Sequence, residues 1–177
     1  MKRALKWFAI GLAGLVGFIF VGLIAIGTAS DIGIIPATVV QTGDELPQKQ
    51  YEQLRDAKIL NRNEIVKFYY GDSGFKITDG GSIMTDQRIL GYWTEGEDPQ
   101  IIAYPLEALS RMDTISEGGG LEDAEYEVFK RGDEENSLLL FLSVLEDGHL
   151  DMVAALEKQI SENQSRWTET GAKTVDE

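Results

Sequence analysis

An uncharged apolar segment near the N-terminus constrains this chain more than any other feature. No residue from Trp7 to Ser30 carries a charge, and Phe8 to Ile26 is built from alanine, glycine, valine, leucine, isoleucine and phenylalanine. At about 1.5 Å of rise per residue, a helix of this length spans a hydrocarbon core of roughly 30 Å. Residues 1–30 are therefore predicted to form a cytoplasmic tip and a transmembrane helix.

A cleaved signal peptide is the alternative to a retained anchor. The basic N-terminus fits that alternative, and Thr28-Ala29-Ser30 is small enough for a cleavage site. The apolar region of a signal peptide usually has about 7–15 residues, however, and this segment is longer. We expect a retained, single-pass anchor.

The charges that flank this segment predict its orientation. Lys2, Arg3 and Lys6 precede the span, and Asp31 is the first charged residue after it. Because basic residues are retained on the cytoplasmic side, we expect the soluble domain to lie outside, in the periplasm or the extracellular space.

Small residues recur along one face of the predicted span at spacings of three and four. Such residues let a second transmembrane helix approach closely. Glycine is also common in membrane helices generally, and Phe18 interrupts the stripe, so both interpretations stay open. The candidate helix-packing residues are Gly11, Gly14, Gly22, Ala25 and Ala29.

The charge of the remaining chain excludes some classes of partner. Three of the 16 basic residues and none of the 30 acidic residues lie in residues 1–30, so residues 31–177 carry 13 basic against 30 acidic residues, a formal charge of −17. Such a surface repels polyanions, which argues against nucleic acid and against anionic lipid head groups. We expect contact with the bilayer through the anchor only.

Hydrophobic patterning predicts a mainly β domain behind a linker in residues 31–44. A short helix is predicted from Leu46-Pro47 to about Asn61–Asn63, and a terminal helix carries Val153, Leu156, Ile160 and Trp167 on one face. Residues 168–177 form a polar tail. About seven short strands are predicted between the helices, and the candidate segments are residues 65–70, 75–78, 82–85, 88–93, 101–104, 112–115, 126–130 and 138–144.

Two stretches resemble the bacterial pleckstrin-homology-like (PH-like) domains. Residues 64–70 lead through a turn to residues 81–93, which contain Thr85-x-x-Arg88, and residues 104–109 are similar to the Pro-Leu-Glu segment after the family's fourth strand. The resemblance covers residues 45–167. It implies a strongly bent β-barrel of about seven strands that is capped by a C-terminal α-helix.

The resemblance does not extend to the basic loop of lipid-binding relatives. That loop corresponds here to residues 71–74, where Asp72 and Asp79 offset the nearby Lys67 and Lys76. Thr85 and Arg88 themselves are predicted to close a structural turn, the threonine by bonding to backbone and the arginine by pairing with an acid.

A catalytic or metal site is not indicated by the sequence. His149 is the only histidine, at the start of the last helix, where a solvent-facing role is expected. Ser137 and Ser143 lack a recognisable histidine and acid arrangement, and the glycines of residues 118–120 lack the lysine of a phosphate loop. The acidic run Asp133–Glu135 is expected to be a solvated loop. We predict no catalytic residue, cofactor or metal.

The combined expectation is a membrane-tethered, non-enzymatic protein-interaction module in a bacterial inner (cytoplasmic) membrane. It would act as an accessory subunit of a larger membrane assembly, with a membrane protein complex or another transmembrane helix as partner. The alternatives are a lipid- or envelope-sensing PH-like domain and an uncharacterised enzyme.

Overall fold

The part of the chain that the structure describes is mainly β, with one short and one long α-helix. The structure, a computed structural model, describes residues 39–72, 76–96, 98–119 and 122–173. Two 3₁₀ turns, Leu106–Ala108 and Leu145–Asp147, join the later elements. The elements are β1 (Gln41–Thr42), α1 (Gln48–Asp56), β2 (Val66–Tyr70), β3 (Gly80–Thr85), β4 (Arg88–Glu95), β5 (Asp98–Pro105), β6 (Leu109–Ser116), β7 (Ala124–Lys130), β8 (Asp133–Leu142) and α2 (Gly148–Lys173).

The strands form two antiparallel sheets. Sheet A has the order β1-β2-β3-β4-β5, and sheet B has the order β6-β7-β8. Strands β2 to β8 followed by α2 reproduce the series of about seven strands and a terminal helix that the sequence predicted, so this part of the expectation is confirmed. The strands lie in two sheets and not in one continuous barrel wall.

The main core is enclosed by the two sheets and α2. Helix α2 contributes Met152, Leu156 and Ile160, and Leu156 is fully buried. Asn163 continues the same helix face, and its amide donates hydrogen bonds to the carbonyl oxygens of Leu106 (2.7 Å) and Leu109 (2.9 Å). The apolar stripe predicted for the terminal helix therefore packs on the protein's own sheets.

A second core covers the opposite face of sheet A. Leu54 of α1 and the following Ile59 and Leu60 pack there with residues of β2 to β4. Helix α1 ends at Asp56, earlier than predicted, because Lys58 adopts a left-handed conformation with φ 61°. The N–H of Ile59 then donates to the Leu54 carbonyl, which is the hydrogen bond of a Schellman cap.

The strand predicted over residues 75–78 is wrong for residues 76–78, the part that the structure describes. Residues 77–79 form a turn, and the carbonyls of Ile77 and Thr78 accept hydrogen bonds from the side-chain hydroxyls of Tyr92 and Thr94 on β4. The glycine pair after Asp79 predicts a turn over residues 79–81, and this is also wrong, because β3 begins at Gly80. A Cβ at Gly81 would lie 2.4 Å from the Tyr70 carbonyl oxygen, so glycine permits close strand packing there.

Three predicted segments have different boundaries in the structure. Part of the predicted linker is folded, since Val40 is buried and β1 pairs with β2. Helix α2 extends to Lys173, into the predicted polar tail. The acidic run Asp133–Glu135 begins β8 and is not a loop, because Asp133 pairs with Lys130 across a hairpin.

No helix in the described part of the chain is long and apolar enough to cross a membrane. The predicted transmembrane helix of residues 1–30, with its candidate packing residues, lies outside the described residues.

Candidate functional site: an apolar groove between the sheets

Strand β8 presents apolar side chains on both of its faces. Leu138, Leu140 and Leu142 alternate along the strand and are buried in the main core. Leu139 and Phe141 lie between them and are 39% and 37% exposed. Because successive residues of a strand point to opposite faces, β8 keeps two large apolar side chains at the surface.

Strands β4 and β5 supply the facing wall. Trp93 and Ile102 are 44% and 38% exposed. Gly91 pairs with Ile102 across the two strands, and Ile89, Gly91 and Trp93 share the face of sheet A that forms the main core. The core-forming face of sheet A therefore continues to the surface at Trp93.

A glycine allows β8 to cross close to sheet A beside these residues. A Cβ at Gly91 would lie 3.0 Å from Cδ1 of Leu138. The crossing leaves a groove of about 460 Å³, which we call the Trp93 groove. Its apolar walls are Trp93, Ile102, Leu139 and Phe141, and its polar lining includes Asp72, Ser82 and Ser137.

The groove has an anionic corner. The Tyr70 hydroxyl donates a 2.8 Å hydrogen bond to Oδ2 of Asp123. Desolvation, together with repulsion from Asp123, raises the pKa of Asp72. Burial and the hydrogen bond to Asp123 likewise raise the pKa of Tyr70, which keeps this phenol protonated. Asp72 therefore makes this end of the groove acidic, and a cation would be favoured beside it.

Thr85 and Arg88, the residues predicted to close a structural turn, lie at the turn between β3 and β4. Oγ1 of Thr85 accepts hydrogen bonds from the N–H groups of Gln87 (3.1 Å) and Arg88 (3.0 Å). Nε and Nη2 of Arg88 donate to the two carboxylate oxygens of Glu64 at 2.6 and 3.0 Å. Nη2 also donates to the Ile59 carbonyl at 3.0 Å.

The Arg88–Glu64 pair is a structural clasp between sheet A and the segment after α1. Burial by itself would raise the pKa of Glu64, but hydrogen bonds from the Arg88 side chain and the Asn61 N–H outweigh burial and lower that pKa. A polar cleft of about 570 Å³ lies beside the pair. The side chains of Asn61, Glu64 and Arg88 in its lining bond to one another, so we assign them a structural role and not a ligand-binding one.

The residues considered for catalysis are not arranged as a catalytic set. His149 is 6% exposed, which corrects the expected solvent-facing position, because it lies on the face of α2 that packs against the domain. The Ser143 hydroxyl accepts from the Leu145 N–H at 3.3 Å, and the Ser137 hydroxyl lies 3.2 Å from a Glu127 carboxylate oxygen. Within the described residues, no three histidine or acidic side chains are grouped to hold a metal.

Sequence reasoning missed the groove. The local pattern does not distinguish Trp93 from the strand aromatics Tyr69, Tyr70 and Tyr92, although only the three tyrosines are buried. The one available signal was the run of residues 138–144, where both strand faces are apolar although only one face of β8 is buried in a core. The path of β8 across Gly91 depends on long-range packing that no local pattern encodes.

Solved structures are similar to this chain, whereas no protein-family model and no curated protein matches it. A DUF1696 family protein with a pleckstrin-homology domain from Shewanella loihica has 17% identity and a TM-score of 0.45, covering 70% of this chain and 94% of that chain. A pleckstrin-homology domain from Shewanella amazonensis has 18% identity and a TM-score of 0.45, covering 63% of this chain and 86% of that chain.

Proposed function

We propose that this chain is a membrane-tethered, non-enzymatic protein-interaction module with a PH-like domain. It serves as an accessory subunit of a larger membrane assembly, and a protein partner docks in the Trp93 groove. The predicted helix of residues 1–30 supplies the tether.

The observation that carries this proposal is the cluster of four exposed apolar side chains from both sheets. Trp93, Ile102, Leu139 and Phe141 line one groove, and each is more than a third exposed. Contiguous apolar patches on a protein surface commonly mark interaction sites, whereas scattered ones do not. Aromatic residues in such patches are the ones that most often dominate binding energy.

The edge of sheet A beside the groove favours contact through side chains. Strand β5 is the edge strand, and Pro99 and Pro105 lie within it. Proline lacks the N–H group that a further strand would need, so strand addition along β5 is disfavoured. A partner is therefore expected to insert side chains into the groove.

Photo-crosslinking in the intact membrane tests this proposal. A benzophenone amino acid replaces Trp93 or Phe141 in the full chain, and Leu150, which is 53% exposed on α2, is the matched control position. Groove positions should give a protein adduct of one defined mass that position 150 does not give. The substitution Ile102→Asp, which places a charge in the groove, should abolish the Phe141 adduct.

Equal adducts from the groove and from position 150 would contradict the proposal. So would the absence of a groove adduct when the variants are present in the membrane at wild-type levels.

A further inference from the structure

Acidic side chains flank the apolar wall of β8. Glu125 of β7 pairs directly with Phe141, and Glu127 pairs with Leu139. Residues directly opposite on antiparallel strands point to the same face, so both carboxylates lie beside the groove wall. The partly exposed outer face of sheet B therefore carries apolar and acidic residues in adjacent rows.

The two basic residues within the strands of sheet B, Arg111 and Lys130, already have acidic partners. Nε of Arg111 lies 3.1 Å from Oδ2 of Asp113, and Nζ of Lys130 lies 3.1 Å from Oδ2 of Asp133. The guanidinium of Arg111 also stacks on the Phe129 ring, at 4.1 Å from the ring centroid. These cations offset other carboxylates, and no ion pair among the described residues neutralises Glu125 or Glu127.

The groove lining is negatively charged, like the outer face of sheet B. Of the described residues that line it, Asp72 is the one charged residue, and none is lysine or arginine. Repulsion from the Asp123 carboxylate contributes to the raised pKa of Asp72. Carboxylates thus stand at the inner corner and along the β8 rim of one apolar groove.

We infer that the Trp93 groove binds a partner-protein segment whose apolar side chains are flanked by lysine or arginine. This inference rests on the proposed interaction function and specifies the chemistry of the partner. The apolar side chains bury the exposed walls, and the flanking cations meet the carboxylates of Asp72, Glu125 and Glu127. Complementary charge of this kind speeds association and selects among partners.

Two other occupants conflict with the same charges. A second copy of this chain would bring its own acidic rim against this one, and the whole chain has a formal charge of −14. An anionic lipid surface would meet the same repulsion, which weakens only when salt screens it.

Peptide binding to the full chain in neutral-lipid nanodiscs tests the inference. Three labelled peptides of equal length are compared. The apolar-basic peptide contains leucine and phenylalanine flanked by lysine. In the second peptide glutamate replaces the lysine, and in the third serine replaces the leucine and phenylalanine. The apolar-basic peptide should bind at least about tenfold more tightly than either other peptide. Its affinity should fall as salt is raised.

Variants then assign the binding to the groove. Trp93→Ala and Phe141→Ala should each weaken the apolar-basic peptide about tenfold, and Leu150→Ala should leave its affinity unchanged. The pair Glu125→Gln and Glu127→Gln should reduce both the affinity and its salt dependence. Circular dichroism and an unchanged urea midpoint establish that each variant is folded.

The alternative outcomes separate this inference from the proposed function. Equal, Trp93-dependent binding of the lysine and glutamate peptides would overturn the basic partner and leave the interaction function standing. If no peptide binds through the groove, the inference is wrong, and crosslinking alone decides the function. Trp93-dependent binding to anionic vesicles would show that the groove binds lipid and not a partner segment. Trp93-dependent dimerisation would show that it binds a second copy of this chain.

Discussion

Glu64 shows how a single buried charge is accommodated in this domain. Its side chain is 1% exposed, and both carboxylate oxygens accept hydrogen bonds from Arg88, whose side chain is 20% exposed. The N–H of Asn61 adds a third hydrogen bond at 2.9 Å. A buried charge with this many donors is tolerated, whereas the same charge without its cation is costly.

Removal of the cation should therefore destabilise the domain strongly. Arg88→Ala leaves Glu64 buried without its partner, and we expect a loss of about 3 kcal/mol in the free energy of unfolding. Urea unfolding, monitored by circular dichroism, measures this free energy of unfolding. Lys158→Ala breaks an exposed ion pair of 4.0 Å and should cost less than about 0.5 kcal/mol. Equal losses in the two variants would contradict the clasp.

The acid sensitivity of the fold should depend on the same carboxylate. Because the folded state lowers the pKa of Glu64 below its usual 4.5, the stabilisation is complete above that pH and is lost as pH falls through the folded pKa. Glu64→Gln should be less stable than wild type at pH 7, and the difference should narrow below pH 4.5. A difference that stays constant from pH 7 to pH 3 would show that Glu64 is not the titrating group.

Elements whose apolar residues repeat at helical or strand spacing were predictable from sequence. Elements whose conformation depends on contacts with distant residues were not. The apolar stripe of α2 and the strand at residues 65–70 follow local patterns. Ile77 and Thr78 lie in a segment with the composition of a strand, but the hydroxyls of Tyr92 and Thr94 on β4 donate to their carbonyls, and residues 77–79 form a turn. Thr85 and Arg88 were predicted from sequence as turn residues, whereas Glu64, the partner of Arg88 in the clasp, was not, because it is 24 residues from Arg88.

Helix α2 should contribute to the stability of the domain through its buried face. Leu156 is fully buried, so Leu156→Ala is expected to cost about 2–5 kcal/mol, the usual range for a buried leucine. Leu150→Ala removes the same atoms from a 53% exposed site on the same helix and should change stability by less than about 0.5 kcal/mol. An unchanged urea midpoint for Leu156→Ala would mean that α2 is detached from the sheets.

The whole chain divides into a basic, apolar N-terminal segment and an acidic domain. All 30 acidic residues follow residue 30, and three basic residues precede the predicted span. The three basic residues lead us to expect a cytoplasmic N-terminus and an external domain, whose acidic surface would repel anionic lipid. The Trp93 groove then lies on a domain that is free to meet other proteins of the same membrane.

Reporter fusions at Glu177 test the predicted topology. An alkaline phosphatase fusion should be active, because the enzyme folds outside the cytoplasm, and a fluorescent protein that matures only in the cytoplasm should stay dark. An inactive phosphatase fusion together with a bright fluorescent fusion would place the domain in the cytoplasm.

The central claim, that the Trp93 groove holds a protein partner, is tested most directly by purification of the full chain in mild detergent. Mass spectrometry compares wild type with the double variant Trp93→Ala/Phe141→Ala. The control double variant is Ile65→Ala/Leu150→Ala, which removes side chains that are 56% and 53% exposed elsewhere. Wild type and control should retain the same defined membrane protein in fixed proportion, and the groove variant should lose it while remaining folded. Retention of that protein by the groove variant at the wild-type level would contradict the account.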